Sequence, residues 1–235
     1  VSSGELRNFL DNDGSTLNNL SLTMPLKEEA LTIADTISDI SRQIQSGNTL
    51  RRDGGLWNLT STDVDGFTHA LQFNNRDAKG NVLIIGAGAT ARAVVAACDT
   101  VSDSVTVISR NAEREQAIRN AGPNQGIDFI TWSSSIDFNV FDLVVNTTPA
   151  ETASILVDQI GSPSSTFFEV LYNRPGKMQR KYFPNKSLKF RRTSSRQFDT
   201  IPKVEINLGV INGRFKPSNW QRSQFERKLP LRFLR

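Results

Sequence analysis

Between Asn81 and Ala93 the chain reads NVLIIGAGATARA. Four apolar residues, Val82 to Ile85, are too few for a helix and suit a strand buried on both faces. Gly86, Ala87, Gly88, Ala89 and Thr90 follow, and then a run of small residues, Ala91 to Cys98, with helical character. Gly86 permits a tight turn and Gly88 a close approach of the backbone to a ligand. Ala91 stands at the third small position, where a helix packs against its strand. A helix that opens on such a turn presents unpaired N–H groups to an anion. The run therefore reads as the phosphate-binding turn of a βα unit that holds a dinucleotide.

The flanking pattern agrees with that unit. Short apolar runs at Val82–Ile85, Val105–Ile108, Ile127–Ile130, Leu143–Val145 and Phe167–Leu171 predict buried strands. Segments near 89–99, 112–121 and 151–160 predict the helices between them. Such alternation implies a parallel sheet covered on both faces, so the fold class is α/β with a doubly wound, Rossmann-type domain over 67–173. It is preceded by an incomplete α/β unit over 1–66. There, Ile33, Ile37, Ile40 and Ile44 recur at helical spacing and predict one amphipathic helix from Leu31, after Pro25 and before Gly47. Residues 48–66 carry a Gly-Gly pair between short alternating stretches and read as a hairpin and a polar loop, with the next helix opening near Asp65. After Asn173 the alternation stops, and no element is predicted.

The strand after the turn should end on the residues that read the adenosine ribose. An acidic residue there accepts from a 2′-hydroxyl, whereas this chain has Ser109, Arg110 and Asn111, with Arg114 one helical turn on. Two guanidiniums suit a 2′-phosphate, so the expected cofactor is NADP (NADPH) rather than NAD.

Composition narrows the remaining classes. A chain of 235 residues with 37% hydrophobic content can bury a core. The opening residues lack a signal-peptide pattern and no apolar run is long enough to cross a bilayer, so a cytoplasmic location and no membrane partner are expected. The single cysteine, Cys98, falls in an apolar helical run and reads as a buried inert thiol. His69, the only histidine, reads as a surface or partly packed residue, and Trp57 and Trp132 read as packing groups. No metal site is expected. The net charge of +4 is divided unevenly: residues 174–235 hold 17 Lys or Arg against three Asp or Glu, a net +14, while 1–173 carries −10. A basic tail suggests nucleic acid. This one has neither a recognisable nucleic-acid-binding pattern nor low complexity, so out-of-frame translation or fusion to unrelated sequence is the preferred reading.

Five ordered motifs carry a more specific resemblance: SLTMPLK at 21–27, GNT at 47–49, STDVDGF at 61–67, GAGATARA at 86–93, and VVNTTP at 144–149 followed by FFEVLYN at 167–173. In that order and spacing the chain resembles the shikimate dehydrogenases over about residues 1–173. The resemblance implies that Lys27 and Asp63 are the catalytic pair. Hydride transfer to a ketone leaves an alkoxide that an ammonium can protonate, and the carboxylate holds that ammonium in place. Thr23, Asn48 and Tyr172 match positions that face the substrate, together with Lys27 and Asp63. Asn146, Thr147 and Thr148 match the segment near the nicotinamide ribose. Read without the resemblance, Lys27 is an exposed residue opening a helix and Asp63 a turn or N-cap residue.

The implied reaction is reversible NADPH-dependent reduction of 3-dehydroshikimate to shikimate, on the route to chorismate and aromatic amino acids. A small-molecule substrate is the expected partner, and a monomer or homodimer the expected assembly. The alternatives are a quinate/shikimate dehydrogenase using NAD, or an inactive cofactor-binding remnant with a nucleic-acid-binding tail. Against the family pattern, the chain reads as starting inside the substrate domain, without the serine-containing carboxylate loop. Past Asn173 it reads as lacking the family's terminal helices.

Overall fold

A computed structural model describes residues 1–132, 134–149, 151–160 and 164–170, with the backbone of 210–211 and 232–234. Helix α1 (Leu6–Asp11) leads to β1 (Asn19–Leu22). The one-turn α2 (Leu26–Glu29) runs into a 3₁₀ turn, Ala30–Thr32, and is followed by β2 (Thr36–Ile37) and α3 (Asp39–Gln43). Strands β3 (Thr49–Asp53) and β4 (Leu56–Thr60) form a hairpin about Gly54 and Gly55, as the Gly-Gly pair implies. In this first sheet β3 lies antiparallel to both β1 and β4, and β2 pairs parallel with β4. Leu6, Leu10, Leu20, Leu22, Leu50 and Leu59 close its core.

Helix α4 (Asp63–Phe73) leads into the second sheet: β5 (Asn81–Ile85), α5 (Ala89–Cys98), β6 (Ser104–Ser109), α6 (Glu115–Ala121), β7 (Ile127–Thr131), β8 (Leu143–Asn146) and β9 (Thr166–Glu169). These five strands are all parallel, in the order β9-β8-β5-β6-β7. Strand β5 shows why both faces must be covered. Val82 and Ile84 point into the core shared with α4, α5 and α6, and Leu83 and Ile85 point into a second core with Phe138, Leu156 and Phe167. All four are fully buried. The doubly wound fold class and the five strands follow the expected pattern. The order reverses between β5 and β8, which opens a crevice at the carboxyl ends of those strands. Helix α4 packs on this sheet through Phe67, whose ring meets Phe168 edge-on at 5.0 Å. It spans the expected division at 66/67 and opens at Asp63, two residues before the expected start.

Three expectations need correction. The helix expected from Leu31 to Ile44 is not continuous, because its apolar spacing serves two different cores. Ile33 packs under the first sheet and Ile44 under the second. Between them the chain is extended: Asp35 accepts from the Trp57 amide at 2.7 Å and donates its own amide to the Trp57 carbonyl at 2.8 Å, and Thr36–Ile37 joins β4. Ser38 then caps α3 by accepting from the Ser41 amide. The segment near 151–160 forms a 3₁₀ helix, Thr152–Gln159, rather than an α-helix. The stretch after Asn173 does contain strand pairing. β10 (Val210–Ile211) lies antiparallel to β9, and β11 (Arg232–Leu234) lies parallel to β1. Edge strands offer unpaired backbone groups to any extended segment, so hydropathy periodicity gives little warning of such pairing.

Cys98 is buried, as expected. Desolvation pushes its thiol up to about 11 from the ordinary 9.0, against a smaller lowering by a hydrogen bond with Ser102. Between those pH values the unfolded chain has released the proton and the folded chain has not, so stability falls as pH rises. The slope approaches about 1.4 kcal/mol per pH unit. Urea titrations from pH 8 to 11 should show that slope in the natural chain and lose it in Cys98→Ala.

Gly86 is the position where the turn requires glycine. Its φ is +111°, and a Cβ there would stand 2.6 Å from the Thr147 hydroxyl oxygen. A Cβ on Gly88 would meet nothing within 4 Å. Gly86→Ala should therefore lower the unfolding free energy by about 1–3 kcal/mol, and Gly88→Ala by less than about 1 kcal/mol, both measured by urea denaturation.

Candidate functional site

The TMPLK motif follows β1. Thr23 follows the last strand residue, partly exposed, with its carbonyl accepting from the Leu26 amide at 2.8 Å. Lys27 lies in the single turn of α2 and is buried, so its reading as an exposed helix-opening residue does not hold. The Gly47 amide donates to the Lys27 carbonyl at 2.9 Å, which brings the GNT motif against this turn. Asn48 is gripped by its backbone between two strand ends: its carbonyl accepts from Leu22 and its amide donates to Thr60. The STD motif enters from the end of β4, with Thr62 at the N-cap of α4 and Asp63 the first helical residue.

These elements bring together residues 36 apart in sequence. Lys27 Nζ donates to Asp63 Oδ2 at 2.6 Å, with side chains only 8% and 14% exposed. Asn48 Nδ2 donates to Asp63 Oδ1 at 2.7 Å. Both carboxylate oxygens are thereby held. Asn48 Oδ1 in turn accepts from the Thr62 amide at 3.0 Å and the Thr49 hydroxyl at 2.9 Å. Asp63 at the first turn of α4 also gains from the helix dipole. The arrangement presents an ammonium on a carboxylate that cannot swing away, which is suited to handing a proton to an oxygen and taking it back.

The crevice of the second sheet lies at the ends of β5 and β8. Gly88 is the N-cap of α5, and no side chain caps that helix. The helix start, the open space before Gly88 and the neighbouring Ala89 and Thr90 fit a pyrophosphate. Thr147 holds the facing loop by donating its hydroxyl to the Ile85 carbonyl at 2.8 Å. Asn146 is buried and fully engaged. Its Nδ2 donates to both Glu169 oxygens at 3.1 Å, and its Oδ1 accepts from the Thr148 amide and hydroxyl. At the end of β6, buried Ser109 accepts from the Asn111 amide, and Asn111 Oδ1 from the Glu113 amide. The Arg110 guanidinium lies 5.4 Å from the Trp132 ring centroid. The sequence just past β6 carries two cations, Arg110 and Arg114, a type of group suited to a phosphate. Tyr172 lies outside the described residues, and His69 sits exposed on α4.

Two residues without an expected role connect the halves of the site. Arg92, within GAGATARA, is almost fully buried. Its Nε donates to the Ile44 carbonyl at 2.6 Å, and its Nη2 donates to Glu28 at 2.7 Å and the Gln45 carbonyl at 3.0 Å. Glu28, next to Lys27, also accepts from Arg114 Nη1 at 3.0 Å. Burial raises the Glu28 carboxyl, but the hydrogen bond and charge of Arg92, with those of Arg114, outweigh it and hold the group below 4.5. The available signal was a lone arginine in a helix of small residues. Its partners could not be read from spacing.

Fold and site together define a two-sheet α/β protein with a dinucleotide-type phosphate turn and a buried lysine–aspartate pair. The chain is similar to shikimate dehydrogenases. The chain is 34% identical over 137 residues to a shikimate dehydrogenase (NADP(+)) of Prochlorococcus marinus, covering 56% of this chain and 48% of the relative. It is 34% identical over 167 residues to that of Maricaulis maris, covering 68% and 59%. The matched stretch thus spans roughly half of each relative's length. The crystal structure of Mycobacterium tuberculosis shikimate dehydrogenase superposes with a TM-score of 0.68 at 26% identity, covering 77% of this chain and 70% of that one. No family model matches.

Asn48→Ala would leave Asp63 Oδ1 and the Thr62 amide without their partner. It should cost about 1–3 kcal/mol of stability, readable as a lowered urea midpoint. Gln at the same position should recover little, since its longer side chain cannot keep both bonds.

Proposed function

We propose that this chain carries out reversible NADPH-dependent reduction of 3-dehydroshikimate to shikimate. The observation that carries the proposal is the buried Lys27–Asp63 pair, 2.6 Å apart, with the second carboxylate oxygen held by Asn48. In this reading residues 1–66 form the substrate-binding part and 67–173 the cofactor-binding part, in a cytoplasmic monomer or homodimer. The likeness to relatives named for shikimate and NADP(+) supports the choice of substrate and cofactor.

The roles follow from the chemistry of each group. NADPH, when bound, supplies the hydride to the ketone carbon. Lys27 gives a proton to the oxygen that becomes the hydroxyl, and in the oxidative direction receives it. Asp63 keeps the Lys27 ammonium oriented, and Asn48 keeps Asp63 from rotating. Thr23 and Asn48 line the substrate side with short neutral donors and acceptors, and Tyr172 joins them from the cofactor side. Gly86, Ala87, Gly88, Ala89 and Thr90 cradle the pyrophosphate. Ser109, Arg110, Asn111 and Arg114 receive the phosphorylated ribose. Thr147 stands toward the nicotinamide half, backed by the tight Asn146–Thr148–Glu169 cluster.

The test is shikimate-dependent NADP⁺ reduction by the full chain, followed by absorbance. Lys27→Ala should lower kcat by about 10²–10⁴-fold while leaving NADPH binding intact. A chain that binds NADPH yet shows no turnover with shikimate or quinate would overturn the enzymatic reading. Equal turnover with NAD⁺ would overturn the assigned roles of Arg110 and Arg114.

A further inference from the structure

We propose that Glu28 is a specificity-determining residue that competes with the cofactor's 2′-phosphate for Arg114. The inference rests on the NADP reading above and adds a competitor to it. The two cations at the end of β6 are not equivalent. Arg110 leans on the Trp132 ring, a contact that leaves its charge available to an anion. Arg114 is tied by Nη1, across 86 residues of sequence, to Glu28 Oε1 at 3.0 Å, in the helical turn that also bears Lys27.

The geometry makes an exchange of partners feasible. The Arg114 and Glu28 side chains are 44% and 42% exposed, so the pair is weak and screened by salt. Arg92 is only 2% exposed and holds the same Glu28 oxygen at 2.7 Å. When Arg114 turns to a phosphate, Glu28 therefore keeps a buried counter-charge and is not stranded. Arg92 in turn keeps the carbonyls of Ile44 and Gln45. The exchange costs one exposed ion pair and nothing in the buried network. A dinucleotide without the 2′-phosphate does not call on Arg114 and is indifferent to Glu28. Glu28 thereby lowers the preference for the phosphorylated cofactor below what the two arginines would give alone.

The test measures binding of adenosine 2′,5′-bisphosphate and of 5′-ADP to the full chain by calorimetry at low ionic strength. Glu28→Gln keeps an acceptor for Arg92 and removes the charge that holds Arg114. It should tighten the 2′,5′-bisphosphate by about two- to fivefold and leave 5′-ADP unchanged. In an Arg114→Gln background the same substitution should give no gain. A gain that persists there would mean through-space repulsion rather than competition, and an equal shift for both ligands would mean a merely structural effect. Either outcome, or no shift at all, overturns the proposal. Should thermal unfolding show that Glu28→Gln is not folded, Glu28→Asp serves. It keeps the charge beside Arg92, draws back from Arg114 by one methylene, and should move the ratio of the two affinities in the same direction; an unchanged ratio again overturns the proposal. A natural chain that binds the bisphosphate no better than 5′-ADP would instead remove the NADP reading, and this inference with it.

Discussion

A guanidinium buried where the two sheets meet governs how the halves of this chain relate. Arg92 projects from the helix that follows the phosphate turn and ends on the carbonyls of Ile44 and Gln45 and the carboxylate of Glu28. A buried cation needs a counter-charge and hydrogen-bond acceptors, and removing the charge partner of a buried pair costs several kcal/mol, on the order of 3–5. The requirement works in both directions. It fixes the end of α3, where carbonyls gather at the negative pole of the helix, and it fixes α2, which carries both Glu28 and Lys27. The turn that bears Lys27 is thus positioned, at one remove, by the helix that follows the phosphate-type turn.

The lysine–aspartate pair solves a different problem. An ammonium withdrawn from water needs a partner that compensates its charge without trapping it in an unproductive direction. Asp63 gives one oxygen to Lys27 and the other to Asn48, and Asn48 is itself clamped by backbone bonds to β1 and β4. Orientation therefore comes from strands rather than from a mobile loop, which suits a site where a small displacement is expensive in rate. At the end of β8, Asn146, Thr148 and Glu169 form a polar cluster that stiffens the strand end. Its fully engaged groups make it a support for the neighbouring Thr147 and Gly86.

The charged groups around Glu28 place two demands on one carboxylate. Its inner neighbour, Arg92, is structural and buried, while its outer neighbour, Arg114, is exposed and lies just past the end of β6, among the residues proposed to receive the ribose. In the proposed competition, a shared counter-ion of this kind links the strength of cofactor recognition to the turn that bears Lys27. The arginine pattern that suggests a 2′-phosphate is real as chemistry, yet the number of arginines overstates the charge available, because one of them is already engaged.

What the sequence by itself determined is short-range. The β5 strand, its turn and α5 were legible because an apolar run, two glycines and a series of small residues act within thirteen residues. The parallel alternation followed from β5 onward for the same reason, and ordered motifs marked Lys27, Asn48 and Asp63 as candidates. Only the tertiary structure decided which of these residues touch. The pairing of Lys27 with Asp63 depends on how β1, β3 and β4 assemble, and the Glu28 contacts reach across 64 and 86 residues. The isoleucines from 33 to 44 show the same limit most clearly. Helical spacing correctly marked Ile33 and Ile44 for burial, but periodicity says that a side chain leaves water and not which core receives it. Two cores received them, and the segment between became a strand and a capped helical turn.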